Sequence, residues 1–214
     1  MSGLQRRRVL AHCSVGVIAG WMSGVAVAAE VPVILVVGDS LSAEYGLKAG
    51  DGWVALLQKR LAEQKKPQRV VNASISGDTT SGGRSRLATA LRTHKPAIVI
   101  IELGGNDALR GLPLASTRDN LTAMTRAAQE AGAKVIIVGM QVPPNYGSAY
   151  GKEFADLFEQ VAKDRHATLV PFLLKGVAER PDMADWFQAD RIHPLAKAHP
   201  LMLDNVWQGL KPLL

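Results

Sequence analysis

Gly38-Asp39-Ser40-Leu41-Ser42 closes an aliphatic run and carries a hydroxyl able to do chemistry. A serine in a tight turn between strand and helix is exposed, and its own N–H can face the oxygen of the carbonyl its hydroxyl attacks. The same pentapeptide also suits a plainer role, with Asp39 or Ser40 capping the next helix. It lacks the Gly-x-x-x-x-Gly-Lys spacing of a phosphate loop. Near the other end stands Asp190-Arg191-Ile192-His193-Pro194. An acid three residues before an imidazole, outside a strand, needs one local turn to bring its carboxylate to a ring nitrogen. That contact fixes the tautomer and leaves the second nitrogen free as a base; an ordinary surface Asp–His pair has the same spacing. His199-Pro200 has no acid three residues before it and reads as the start of the last helix. Gly104-Gly105-Asn106-Asp107 and Ser76-Gly77-Asp78-Thr79 follow two further apolar runs. Asn106 offers an amide donor and Gly77 a bare backbone N–H, or each simply makes a turn.

The elements that must position these groups follow from the hydrophobic pattern. Val33 to Val37, Val70-Val71, Ala97 to Leu103, Val135 to Val138 and Thr168 to Val170 are short β-branched or aliphatic runs, as strands buried on both faces require. Between them, helical spacing is expected over Gly52 to Gln64, Ser81 to Thr93, Thr117 to Ala131 and Lys152 to Arg165. A closing amphipathic segment runs from Leu195 to Leu210. Strand and helix alternate throughout, which predicts an α/β fold: three layers, α/β/α, around a five-stranded parallel sheet. Ligands of such sheets bind beyond the carboxyl ends of the strands. The breaks holding Ser40, Gly77 and Asn106 all fall at such ends.

The joint order of these segments is more specific than any one of them. Ser40, Gly77, Asn106 and the pair Asp190 and His193 resemble the sequence blocks of the SGNH (GDSL-type) hydrolases, and the likeness spans essentially all of the chain after residue 29. Asn72 to Thr79, Glu102 to Gly111 and the Pro143 to Gly147 loop are similar to the subgroup of bacterial periplasmic thioesterase I, lysophospholipase and arylesterase enzymes. The resemblance implies a flavodoxin-like fold and a serine esterase. Ser40, His193 and Asp190 would form a catalytic triad, with an oxyanion hole from the N–H groups of Ser40 and Gly77 and the amide of Asn106. It also implies broad acyl substrates: aryl and alkyl esters, thioesters and lysophospholipids. One departure is Arg191, at a position where such enzymes often have glycine. Leu109, Leu112, Pro143 and Tyr146 follow the third and fourth strands and are expected to line an acyl groove, unless they pack their loops onto the helices. Gly-x-Ser-x-Gly is absent, which argues against an ordinary α/β-hydrolase. The rivals are a carbohydrate O-deacetylase on the same scaffold and a non-catalytic binding protein.

Residues 1–29 read as a secretory signal peptide and 30–214 as the hydrolase domain. Arg6-Arg7-Arg8 precedes a mostly apolar run that ends in small residues at Ala26 to Ala29. A membrane-spanning anchor and a lipoprotein anchor on Cys13 are the alternatives; His12 stands where the second needs a small residue. Cleavage after Ala29 removes three arginines and no acid. The net charge of +6 falls to +3 and the only cysteine is lost. The basic balance then ceases to suggest nucleic acid, and no aromatic-interleaved basic stripe supports that partner. No metal or other cofactor is expected, because the histidines show no zinc-type spacing with cysteines or carboxylates. The expected product is a periplasmic or secreted monomer that acts on small acyl substrates and keeps no membrane anchor.

Overall fold

The computed structural model describes residues 31–214. Five strands form one parallel sheet in the order β2-β1-β3-β4-β5: β1 Val33–Gly38, β2 Arg69–Asn72, β3 Ile98–Glu102, β4 Lys134–Val138 and β5 Thr168–Val170. The central strands β1 and β3 are buried at every position, so both faces are covered and the apolar runs need no alternation. The edges, β2 and β5, are shorter and only partly buried.

Among the described residues six α-helices connect and cover the sheet: α1 Trp53–Glu63, α2 Thr80–His94, α3 Gly105–Leu109, α4 Leu114–Glu130, α5 Ser148–Asp164 and α6 His199–Leu210. The chain winds first from β1 to β2 and then reverses through β3, β4 and β5. Right-handed crossovers in opposite directions put the helices on opposite faces. α1 packs with α6, while α2, α4 and α5 pack in a row. Strand order therefore switches at the β1–β3 boundary, where folds of this order open a crevice beyond the strand ends.

The architecture matches the expected three layers, with local differences. The segment after β3 is a short helix, α3, where the sequence suggests only a turn. Gly104 sits at φ +123°, a conformation closed to other residues, and redirects the chain into it. α4 starts at Leu114 rather than Thr117, because Pro113 at φ −59° is already shaped for helix entry. α5 starts at Ser148 rather than Lys152, since the proline-rich loop is taken up by a single 3-10 turn over Pro144–Tyr146. After β5 the chain runs without a strand until an isolated antiparallel bridge joins Phe187 to Pro194. Backbone hydrogen bonds from Gln188 N–H to His193 C=O (2.7 Å) and from Leu195 N–H to Trp186 C=O (2.8 Å) pin this loop shut. Among the described residues no helix is long and apolar enough to cross a membrane. The segment read as a leader lies outside the described residues.

Candidate active site

The loops beyond β1 and the Phe187–Pro194 bridge bring Ser40, His193 and Asp190 into one line. Ser40 Oγ–H donates to His193 Nε2 at 2.8 Å, and His193 Nδ1–H donates to Asp190 Oδ2 at 2.7 Å. The proton positions follow from Asp190: an ionised carboxylate only accepts, so Nδ1 carries the hydrogen and Nε2 keeps a lone pair for the serine. Asp190 is held in that state. Desolvation raises its pKa, but the hydrogen bonds from His193 (backbone and ring N–H) and the Ile192 N–H outweigh it and bring the value down to about 2. Its Oδ1 accepts from Ile192 N–H (2.9 Å) and His193 N–H (3.0 Å), so the carboxylate also shapes the turn that presents the imidazole.

That turn explains the unusual Arg191. Its φ is +58°, in the left-handed region where glycine is free and other residues are strained. Arg191 adopts it with its N–H bonded to the Gln188 carbonyl at 2.9 Å. The glycine expected from the resemblance is thus a backbone requirement, which arginine meets at a cost in strain.

Asn106 lies in the first turn of α3. One of its Nδ2 hydrogens goes to Asp39 Oδ2 at 3.0 Å, which leaves the second for another acceptor. Gly77 has φ +79°, and its carbonyl accepts from Arg110 Nη2 at 2.6 Å. Among the described residues, neither the Ser40 nor the Gly77 N–H has a backbone partner. Two free backbone donors and one amide hydrogen thus stand on the β1, β2 and β3 loops.

Leu109, the last residue of α3, and Leu112, just beyond it, lie exposed. Tyr45, Ile75 and Ile192, on the neighbouring loops, are exposed too, so large apolar side chains gather at the strand ends that carry Ser40. Pro143 and Tyr146 follow β4 at the same end of the sheet, and the Tyr146 ring stacks on Tyr150 of α5 at 6.2 Å.

Four residues at the site were not singled out for these roles by the sequence. Tyr45 lays its ring against His193 with centroids 4.4 Å apart. Gln188 donates from Nε2 to the Tyr45 carbonyl at 2.9 Å and so ties the serine loop to the histidine loop. Asp39 holds Asn106, and Glu102 lies buried beneath Asp39. Only Glu102 left a visible signal: an acid at the end of the most aliphatic strand. His199, by contrast, is structural. It is buried, its Nδ1 accepts the Trp53 N–H at the start of α1 (3.0 Å), and desolvation pushes its pKa down. Among the described residues no three His, Cys, Asp or Glu side chains stand together as metal ligands would.

A doubly wound sheet with a serine, histidine and carboxylate in hydrogen-bond sequence at its switch point has the form of a serine hydrolase. Residues 36–201 match the model of the GDSL-like Lipase/Acylhydrolase family, and the chain belongs to that family. It is 52% identical over 186 residues to "Esterase TesA" of Pseudomonas aeruginosa, an alignment that covers 87% of this chain and 91% of the relative. It is 37% identical over 187 residues to "Thioesterase 1/protease 1/lysophospholipase L1" of Escherichia coli, covering 87% of each. The crystal structure of TesA superposes with a TM-score of 0.82 at 52% identity, over 85% of this chain and 99% of that one.

Proposed function

We propose that the protein is an exported esterase that hydrolyses aryl and alkyl esters, and also acyl thioesters and lysophospholipids, through an acyl-enzyme on Ser40. The observation that carries this reading is the unbroken line from Ser40 Oγ through His193 to Asp190, at 2.8 and 2.7 Å. In the proposed reaction His193 takes the serine proton as Oγ bonds to the carbonyl carbon. Asp190 stabilises the imidazolium that results. The N–H groups of Ser40 and Gly77 and the free Nδ2 hydrogen of Asn106 receive the oxyanion. Collapse expels the alcohol or thiol, protonated by His193, and water repeats the sequence on the acyl-enzyme.

The exposed apolar residues at the mouth, Leu109 and Leu112 among them, favour an acyl chain over a sugar. This sets the esterase reading above the carbohydrate O-deacetylase. Pro143 and Tyr146 would form the more distant wall of the groove. Residues 1–29 would direct export to the periplasm or beyond and be removed after Ala29. The mature enzyme would then work as a monomer without a thiol.

The test is a hydrolysis panel. It compares chromogenic esters of increasing chain length, an acyl thioester and an acetylated sugar, with Ser40→Ala as control. The reading expects hydrolysis of esters and thioester that disappears in Ser40→Ala. Turnover of the acetylated sugar alone would support the deacetylase instead.

A further inference from the structure

Glu102 ends β3, opposite Gly38 in the β1–β3 register, and is wholly buried. Its Oε2 accepts the Ser42 Oγ–H at 2.7 Å and lies 3.4 Å from the Asp39 N–H. Its Oε1 has no hydrogen-bond partner. Gly38 makes room for this meeting, since a Cβ there would stand 2.7 Å from Ser42 Oγ and 2.8 Å from Glu102 Oε2. Asp39 and Ser42 bracket the nucleophile turn. Asp39 carries the contact onward, with Oδ1 accepting the Leu41 N–H (3.0 Å) and Oδ2 the Asn106 amide (3.0 Å). A chain of hydrogen bonds thus runs from Glu102, through both flanks of Ser40, to the side-chain donor of the oxyanion hole.

Among the described residues no cation pairs with Glu102. The titratable groups around this turn include Asp39, Asp78, Arg86 and His193. Arg86 is engaged by Asp78 (2.8 Å) and the Gly38 carbonyl (3.3 Å), and His193 by Ser40 and Asp190. A buried carboxylate with an unpartnered oxygen and another carboxylate beside it is far costlier than the neutral acid. Burial first, and then the charge of Asp39, push the Glu102 carboxyl well above the usual range.

We propose that Glu102 is a positioning residue: as an un-ionised carboxylic acid it clamps Asp39 and Ser42, and so holds Ser40 and the Asn106 amide in register for the oxyanion. The proposal rests on the roles given to Ser40 and Asn106 above. It implies that shape and neutrality matter at position 102, and that negative charge does not.

The test measures kcat and KM on a chromogenic aryl ester, with thermal melting of every variant. Glu102→Leu removes the clamp and is expected to lower kcat by about 10- to 100-fold with KM little changed, the scale of a misplaced reacting group. Glu102→Gln keeps an oxygen where Oε2 stands and should restore turnover to within about threefold of the wild type. Ser42→Ala deletes one bond of the clamp and should lower kcat in the same direction. It decides the matter together with Glu102→Gln if Glu102→Leu does not fold. In an Asn106→Ala background the cost of Glu102→Leu should shrink, since part of it acts through the Asn106 donor. A difference infrared spectrum at neutral pH, wild type minus Glu102→Gln, should show the carbonyl band of a protonated acid. Wild-type kcat in folded Glu102→Leu or in Ser42→Ala, a Glu102→Gln variant as slow as Glu102→Leu, losses additive with Asn106→Ala, or only carboxylate bands would each overturn the clamp. Hydrolysis that survives Ser40→Ala would instead overturn the underlying reading of the site.

Discussion

Ser40, His193 and Asp190 form one unit because each fixes the protonation state of the next. Asp190, its pKa lowered to about 2, is ionised near neutral pH, and it commits the ring hydrogen to Nδ1. Removing one donor of the proposed oxyanion hole by Asn106→Ala is expected to lower kcat by roughly 100- to 1000-fold while the fold is kept, read by steady-state kinetics and circular dichroism. Arg191 gives a prediction of the opposite sense. At φ +58°, Arg191→Gly relieves strain but gains unfolded-state entropy, so stability should change by less than about 1 kcal/mol in urea melts, with kcat retained. The five residues of the proposed triad and oxyanion hole were legible in the sequence, because each sits in a short polar break after an apolar run or, for the last pair, at turn spacing. Asp39 and Glu102 were not. Their partners, Asn106 and Ser42, lie 67 and 60 residues away along the chain. Only the pairing of β1 with β3 brings them together.

At the scale of elements, the β1–β3 boundary does the positioning. β1 delivers Ser40 and β3 delivers Asn106, while the Phe187–Pro194 bridge carries Asp190 and His193 in from the far end of the chain. All five strands were legible from unbroken aliphatic runs. The helices were legible in their interiors and less so at their starts, since Pro113 and Gly147 act through backbone angles that hydrophobic spacing does not reveal. α3 was invisible because five residues are too few for a periodic signal. His199 links two elements, accepting the first N–H of α1 from the start of α6. His199→Ala leaves that buried donor unpaired and should cost about 1–3 kcal/mol of stability in urea unfolding, with kcat unchanged in the folded fraction.

For the molecule as a whole, the carboxylates near Ser40 impose a pH dependence on stability. Desolvation chiefly raises the Asp39 pKa from 3.8 to about 6, against the pull of the Leu41 N–H and the Asn106 amide. A carboxyl raised on folding contributes stability that is present in full below its unfolded value and is lost as pH rises through its folded value. The difference in stability between wild type and the non-titrating Asp39→Asn should therefore move against the wild type as pH rises from about 4 to about 7, followed by chemical denaturation at each pH. The charge of the whole chain carries a separate expectation. If residues 1–29 are removed on export, intact mass spectrometry of the exported protein should find a chain beginning near Glu30 and lacking Cys13; retention of Cys13 would contradict both cleavage and the thiol-free mature enzyme.

The central claim is that Ser40 is the nucleophile, and a fluorophosphonate serine probe tests it most directly. Treatment of the active, folded enzyme followed by peptide mass spectrometry should find one adduct, on Ser40, with ester hydrolysis lost in step with labelling and no adduct in His193→Ala. An enzyme that hydrolyses esters at its full rate while Ser40 remains unlabelled, or that loses activity through an adduct on another residue, would contradict the claim.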